Sequence, residues 1–83
     1  MRKTYIDVEL RWKKDGTIIP IALWWEEAGN DPKKFIIDKV ISGPVSCHVR
    51  SGGVAKRYLI KIRGNQRALY HEKDRWFLET EES

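Results

Sequence analysis

The sequence predicts an all-β fold, a small single-domain barrel or rolled antiparallel sheet, SH3-like or related, with about six to seven short strands. Apolar and polar residues alternate with a period of two along most of the chain, and no segment shows the spacing of an amphipathic helix. Turn-forming residues separate these alternating segments at short intervals. A chain of 83 residues has the size of one domain with one core, so residues 1–83 are predicted to fold together.

The first hairpin is predicted from the segment YIDVELRW, residues 5–12, and the turn Asp15-Gly16 that follows it. Asp-Gly favours a type I′ turn, because both central residues of that turn need a positive φ. Pairing Lys14 with Thr17 then fixes the register and places apolar residues opposite each other. The predicted pairs are Trp12 with Ile19, Leu10 with Ile21, Val8 with Leu23 and Ile6 with Trp25.

The second strand of this hairpin contains Pro20, Trp24 and Trp25. Proline has no amide hydrogen to donate, so the strand is predicted to lie at a sheet edge or to bulge at Pro20. Neighbouring residues of a strand point to opposite faces, which places Trp25 in the core and Trp24 among polar residues. Trp24 then either caps the open end of the barrel or anchors a partner.

The remaining strands follow a polar connection at residues 26–34. Alternation and turn signals place them at residues 35–41, 45–50, 57–63, 68–72 and 75–79. The predicted turns are Ser42-Gly43-Pro44, a flexible loop at Ser51-Gly52-Gly53, a type II′ turn at Gly64-Asn65, and Lys73-Asp74. Residues 80–83 are predicted to form a frayed acidic tail.

Composition and charge narrow the class of protein. The net charge of +4 and the isoelectric point near 9.4 favour polyanionic partners without requiring them. Cys47 is the single cysteine, which excludes an intrachain disulfide and a thiolate metal cluster. The longest apolar runs are far shorter than a membrane span, so we expect no membrane association and a reducing, cytoplasmic location.

No residue pattern predicts catalysis. Cys47 and His48 are neighbours in a predicted strand, so their side chains diverge and cannot form a nucleophile–base pair. The two histidines lack the spacing of a zinc site, and Gly52-Gly53 lacks the pattern of a phosphate-binding loop. The chain also leaves little room for an internal cavity. The sequence therefore predicts a non-enzyme without catalytic residues, metal, cofactor or small-molecule substrate.

One stretch of the chain separates positive from negative charge. Residues 39–71 contain no aspartate or glutamate. They contain seven cations, which are Lys39, Arg50, Lys56, Arg57, Lys61, Arg63 and Arg67. Segregated charge of this kind focuses a potential that mixed charge would cancel.

The period-two pattern places Arg57, Lys61 and Arg63 on one face, and Tyr70 on a neighbouring strand crosses beside Leu59 and Lys61. Cations next to an aromatic ring on a sheet favour single-stranded nucleic acid, since cations contact phosphates and a ring stacks on a base. The predicted DNA- or RNA-binding residues are Arg50, Lys56, Arg57, Lys61, Arg63, Arg67 and Tyr70. Four of the cations, Lys33, Lys34, Arg50 and Lys56, are predicted in flanking loops, where they could extend the set.

Two alternatives to a nucleic-acid site stay open. The cations could simply solvate a sheet face, and Leu59, Tyr70 and Phe77 share that predicted face, so part of it could be a second buried surface. Alternatively, the protein is an adaptor that binds a protein partner through the edge strand around Pro20 and Trp24, by strand addition.

The order of motifs resembles that of short bacterial proteins of uncharacterised function. The matching segments are KTYIDVELRW, IPIALWWEE, KFIIDKVI, GGVAKRYLIKIRG and DRWFLE, which span residues 3–79. Such proteins are similar to the small barrel domains found beside translesion DNA polymerase genes, and the resemblance implies a role near DNA. It assigns a role to no individual residue. The sequence departs from the pattern at AGNDPKK, where a longer loop replaces a tight turn.

Overall fold

The computed structural model describes residues 1–26, 29 and 31–81. In these ranges the chain forms eight strands, which are β1 (Arg2–Ile6), β2 (Val8–Trp12), β3 (Ile18–Trp25), β4 (Lys33–Ile36), β5 (Lys39–His48), β6 (Val54–Ile62), β7 (Asn65–Glu72) and β8 (Arg75–Thr80). They build an antiparallel five-stranded sheet, ordered β1-β8-β7-β6-β5, and an antiparallel three-stranded sheet, ordered β2-β3-β4. The all-β prediction is confirmed, whereas the SH3-like assignment stays a prediction. The described ranges contain no helix with the length and apolar character needed to span a membrane.

The extra strands arise because two predicted strands each divide between the sheets. Residues 5–12 bend at Asp7, so that β1 pairs with β8 while β2 pairs with β3. The Trp24 amide donates to the Asp7 carbonyl oxygen at 3.0 Å, which ties the bend to the smaller sheet. Ile6 consequently lies opposite Trp76, and the predicted pairing of Ile6 with Trp25 is wrong.

The second division lies between β4 and β5, at Ile37 and Asp38. The Ile37 amide donates to the Ile21 carbonyl oxygen at 3.0 Å, on the three-stranded sheet. The Asp38 amide donates to the Lys61 carbonyl oxygen at 2.7 Å, on the five-stranded sheet. Consecutive backbone amides therefore join the two sheets.

The first hairpin closes differently from the prediction. The Lys13 amide donates to the Thr17 carbonyl oxygen at 2.8 Å, and Gly16 takes φ +91°. This is a longer loop ending in a left-handed glycine, and it shifts the register by one residue relative to a type I′ turn. Trp12 therefore lies opposite Ile18 and Leu10 opposite Pro20, so the predicted pairs of Trp12 and Leu10 are wrong.

A bulge in β3 restores the predicted register further along. The pairing shifts between Glu9 and Leu10, where Ile21 is the additional residue of β3. Beyond it, Glu9 lies opposite Ala22 and Val8 opposite Leu23, as predicted. The expected irregularity at Pro20 is thus a bulge, and Pro20 itself is fully buried.

The strand β5 runs through the segment that was predicted to be a turn. Ser42, Gly43 and Pro44 lie within Lys39–His48, and the pairing with β6 shifts on both sides of Ser42. The predicted break between two strands is wrong, because glycine and proline here mark an irregularity inside one long strand. At the end of this hairpin the Val49 amide donates to the Gly53 carbonyl oxygen at 3.0 Å, so the predicted flexible loop is a hydrogen-bonded turn.

The turn between β6 and β7 lies one residue earlier than predicted. Arg63 and Gly64 both have positive φ, +49° and +80°, and Ile62 lies opposite Asn65. The predicted Gly64-Asn65 turn is therefore wrong, and Tyr70 lies opposite Arg57 rather than beside Leu59 and Lys61. A register shift of two residues leaves each side chain on its predicted face. The turn at Lys73-Asp74 is confirmed by the pairing of Glu72 with Arg75.

The main core lies between the two sheets. Its buried members come from both sheets and from the connection between them: Leu23, Ile37, Tyr58, Ile60, Ile62, Leu69, Trp76 and Leu78. Trp25 packs against this cluster, as predicted. The strand β8 ends at Thr80, which pairs with Arg2, while Glu82 and Ser83 of the predicted tail lie outside the described residues. Glu27, Ala28 and Asn30 of the predicted 26–34 connection lie outside them as well.

A second, smaller core lies on the opposite side of the five-stranded sheet. We call this side, directed away from the three-stranded sheet, the outer face. Phe77 is completely buried here and packs with Val49 and Ala55, while Tyr70 covers the group from one side. The tip of the β5–β6 hairpin contacts this face, since the Ser51 amide donates to the Glu79 carboxylate at 2.8 Å. Part of the predicted binding face is therefore a buried surface.

Candidate nucleic-acid interface

The structure separates the seven residues predicted to bind nucleic acid. Arg57, Lys61 and Tyr70 share the outer face, as predicted, on the strands β6 and β7. Lys56 lies on the other side of β6, opposite Ser46 and His71, and belongs to a strand rather than to the predicted loop. Lys33 and Lys34 likewise belong to β4. Arg50 is exposed in the turn between β5 and β6.

The outer face places like charges side by side. Lys61 lies directly opposite Lys39 on β5, and Arg57 follows on the same face of β6 beyond Leu59. Like charges opposite each other in a sheet cost stability. In the described ranges the two ion pairs are Lys3 with Glu72 and Lys34 with Glu9, and neither uses a cation of residues 39–71. Among the described residues, no carboxylate therefore lies within 4.0 Å of the side-chain nitrogens of Lys39, Arg57 or Lys61, although Glu72 and Glu79 lie elsewhere on this face.

One face of the Tyr70 ring is already in contact with another side chain of the protein. Its ring stacks on Phe77 with 5.2 Å between centroids and 12° between planes. Burial, followed by the neighbouring Glu79 carboxylate, raises the pKa of Tyr70 above the ordinary tyrosine value. One face of the ring is thus covered by Phe77, which limits the stacking role predicted for Tyr70.

The other two arginines lie away from the outer face: Arg63 is in the turn between β6 and β7, and Arg67 is near the start of β7, opposite Ile60. The guanidinium carbon of Arg63 is 4.8 Å from the Phe35 ring centroid, and that of Arg67 is 5.7 Å from the Trp25 ring centroid. Both distances are within the range of cation–π attraction. The prediction that Arg63 shares a face with Arg57 and Lys61 is wrong, because Arg63 leaves the strand at the turn and its side chain reaches the three-stranded sheet.

A pocket of about 380 Å³ opens between the two sheets at this end, and we call it the turn pocket. Its floor consists of the buried side chains of Leu23, Ile62 and Leu78. The rings of Trp25 and Phe35 form its walls. Arg63 and Arg67 line it together with the amide side chains of Asn65 and Gln66.

Sequence reasoning missed the turn pocket, having expected little room for a cavity. Trp25 and Phe35 were placed in strands, and Trp25 in the core, but nothing in the pattern shows where two sheets separate. One sequence feature could have indicated the pocket, namely two arginines, Arg63 and Arg67, close to the same predicted turn. With the turn at its observed position, these two cations border the same opening.

His71 is a half-buried titratable ring that packs against an aromatic side chain of the core. It stacks on Trp76 with 4.2 Å between centroids and 6° between planes. Burial and, next, the positive charge of Lys56 lower the pKa of His71, against smaller raising contributions from the Lys73 backbone and the Asp74 carboxylate. The folded protein therefore favours the neutral imidazole.

We expect stability to fall in acid because of His71. Its pKa is lower in the folded state, so the unfolded state binds the proton more readily and gains from acidification. The free energy of unfolding should be constant above the ordinary histidine value of about 6.5 and decrease as the pH falls through it, until the pH is below the folded pKa. Urea unfolding at pH 7.5 and 5.5 measures the difference. His71→Phe should reduce it, whereas Val54→Ala, at an exposed site without an ionisable group, should not; equal pH dependence in all three proteins would contradict the assignment.

The site proposed for a protein partner is at a sheet edge only in part. At Trp24, β3 lies between β2 and β4, so the predicted edge is wrong there. The strand β4 pairs with Ala22–Trp25 and does not reach Pro20, which pairs with β2 alone among the described strands and is fully buried. Trp24 lies opposite Lys34, whose Nζ atom is 5.4 Å from the ring centroid and 3.0 Å from the Glu9 carboxylate. Trp24 therefore has no free strand edge beside it.

Comparisons with family models, curated proteins and solved structures each gave no match to the chain. The resemblance to short bacterial proteins therefore stays a prediction, and the functional argument depends on the residues themselves.

Proposed function

We propose that the protein is a non-catalytic module that binds single-stranded nucleic acid with little sequence specificity. The observation that carries the proposal is the pair Lys39 and Lys61, directly opposite each other on the outer face and, among the described residues, without a carboxylate within 4.0 Å. Two lysines held together in this way repel each other in the free protein. A bound phosphate backbone offsets that repulsion and releases its own counterions.

The cations would form a track along the β5–β6–β7 side of the molecule. Lys39, Lys61 and Arg57 contact phosphates on the outer face, and the chain of the nucleic acid continues past the end of β6 to Arg63 and Arg67. Aromatic contact is supplied there by Trp25 and Phe35, the two rings that line the turn pocket. A single strand suits this surface better than a duplex, because only unpaired bases expose faces for stacking.

Low specificity follows from the kinds of residue involved. Lysine and arginine contacts to phosphate position a nucleic acid without reading its sequence. Base reading in a duplex is most often done by a helix placed in the major groove, and the described ranges contain no helix. We therefore expect similar affinities for different single strands of equal length.

Fluorescence anisotropy with labelled single- and double-stranded oligonucleotides tests the proposal. If three phosphates are contacted, raising the salt from about 50 to 200 mM should weaken single-strand binding by roughly 20-fold. The double variant Lys39→Ala/Lys61→Ala should lower both the affinity and the salt dependence. Lys13→Ala/Lys14→Ala is the matched control, because it removes the same charge from the exposed β2–β3 turn.

Two results would contradict this function. One is the absence of binding at low salt. The other is an equal loss of affinity in the two double variants, which would show that net charge alone governs binding. Tighter binding of the duplex would overturn the preference for single strands while leaving the phosphate contacts in place.

A further inference from the structure

We infer that the turn pocket is a nucleotide site, which takes one planar base against the rings of Trp25 and Phe35 and its phosphate on Arg63 and Arg67. The inference rests on the proposed function in naming a nucleotide, but the pocket makes a separate claim: it should bind a free nucleoside monophosphate without any longer chain.

The dimensions and lining of the pocket suit a planar ring. Its volume of about 380 Å³ lies within the range of small-molecule sites. The buried floor of Leu23, Ile62 and Leu78 is apolar, and the half-buried rings of Trp25 and Phe35 flank the opening. Stacking of a base on such rings contributes about 1–3 kcal/mol per base.

The charge of the pocket selects an anion. Arg63 and Arg67 line it, and the described residues of its lining include no aspartate or glutamate; the nearby Asp38 carboxylate accepts from the Gly64 amide at 3.4 Å. Each guanidinium lies over an aromatic ring, at 4.8 Å and 5.7 Å, so its position is already restricted before a ligand arrives. A cation–π contact uses the flat face of a guanidinium and leaves its N–H groups free to donate to phosphate oxygens.

The two amide side chains complete the argument for a base rather than a simple aromatic acid. Asn65 and Gln66 line the same pocket and are exposed. An amide group both donates and accepts hydrogen bonds, and the edge of a nucleobase presents both kinds of partner. The carboxylate of a simple aromatic acid offers acceptors only and would use the amide N–H groups but not the amide oxygens.

The test uses adenosine 5′-monophosphate as the probe and two-dimensional ¹H–¹⁵N NMR of the full chain as the readout. We expect saturable shifts of the Trp25 indole and the Arg67 backbone amide. Adenosine lacks the phosphate and ribose 5-phosphate lacks the base, so each should bind at least tenfold more weakly. The indole of Trp12, which is 72% exposed and distant in the sequence from every lining residue, should not shift and serves as an internal control.

Matched arginine variants separate the pocket from general charge. Arg67→Ala should weaken binding of the monophosphate about tenfold, and Arg67→Lys should recover part of it by restoring the charge. Arg75→Ala is the control, because Arg75 also lies over an aromatic ring, 4.2 Å from the Tyr5 centroid, but is not a lining residue. The Arg75→Ala variant should bind the monophosphate with the same affinity as the unaltered protein.

The outcomes distinguish this inference from the proposed function. Absence of Trp25 shifts with the monophosphate at millimolar concentration overturns the nucleotide site, even if oligonucleotides still bind along the outer face. Saturable monophosphate binding in a protein that fails to bind oligonucleotides supports the site and overturns the proposed function. Equal binding of ribose 5-phosphate and the monophosphate overturns the role of the aromatic walls.

Discussion

Replacing Phe77 by alanine is expected to lower the free energy of unfolding by about 3–5 kcal/mol. Phe77 is completely buried, and its ring lies 5.2 Å from that of Tyr70 and 5.7 Å from that of Tyr5. The side chain fills the small core on the outer face, where the remaining members Val49 and Ala55 are too small to close the cavity. Small domains are stable by only about 5–15 kcal/mol, so the loss is a large part of the total.

Urea unfolding followed by tryptophan fluorescence measures this effect. Phe77→Leu should cost less, because it removes fewer buried atoms. Val54→Ala, at a side chain that is 57% exposed, is the control and should be nearly neutral. A loss below about 1 kcal/mol for Phe77→Ala would show that the outer face is open at this end, as a simple exposed sheet would be.

Gly43→Ala is expected to lower the free energy of unfolding by about 3 kcal/mol, from backbone strain and steric overlap together. Gly43 has φ +104°, a conformation that residues with a side chain rarely adopt. A Cβ atom at this position would overlap the Arg57 carbonyl oxygen and lie 3.1 Å from the Tyr58 Cα atom. Both belong to the backbone of β6, which pairs with β5 and β7 on its two sides and cannot retreat easily.

Gly52→Ala supplies the matched control for this prediction. Gly52 has a similar φ of +112°, but a Cβ atom there would meet no atom within 4 Å. Gly52→Ala should therefore lower the free energy of unfolding only through backbone strain, on the order of 1 kcal/mol. Denaturant unfolding of the two variants gives the difference, which isolates the close approach of β5 to β6. Equal losses would show that the two strands are not in such contact around Gly43.

The sequence predicted which side chains share a face more reliably than which residues lie opposite each other. Period-two alternation within the predicted strands 57–63, 68–72 and 75–79, joined by the predicted turns, places Ile60, Leu69 and Leu78 on one face, and these residues are buried together. The turn before β7 was misplaced, yet the facing of β6 and β7 was right, because the error moved the register by two residues. Turns at Gly64-Asn65 and Arg63-Gly64 both agree with the alternation, so the pattern could not choose between them.

The candidate site was predicted only in part, for the same reason. Arg57, Lys61 and Tyr70 share a face because alternation within strands fixes it. Arg63 was misplaced because it belongs to the turn, where alternation stops. The pairing of Lys39 with Lys61 and the turn pocket depend on contacts between segments that are distant in the chain, and no local pattern contains them.

The amino-acid sequence by itself determined the fold class and the inward or outward direction of most strand residues, since these follow from local periodicity and turn chemistry. Only the tertiary structure decided that residues 5–12 divide at Asp7, that β3 lies in the centre of its sheet, and that the outer face carries a second core at Phe77. Each of these depends on which distant strands pair and on how two sheets close around a shared interior. The packing of the whole chain determines which strands pair, because the apolar face of any one strand could be buried against several different partner strands.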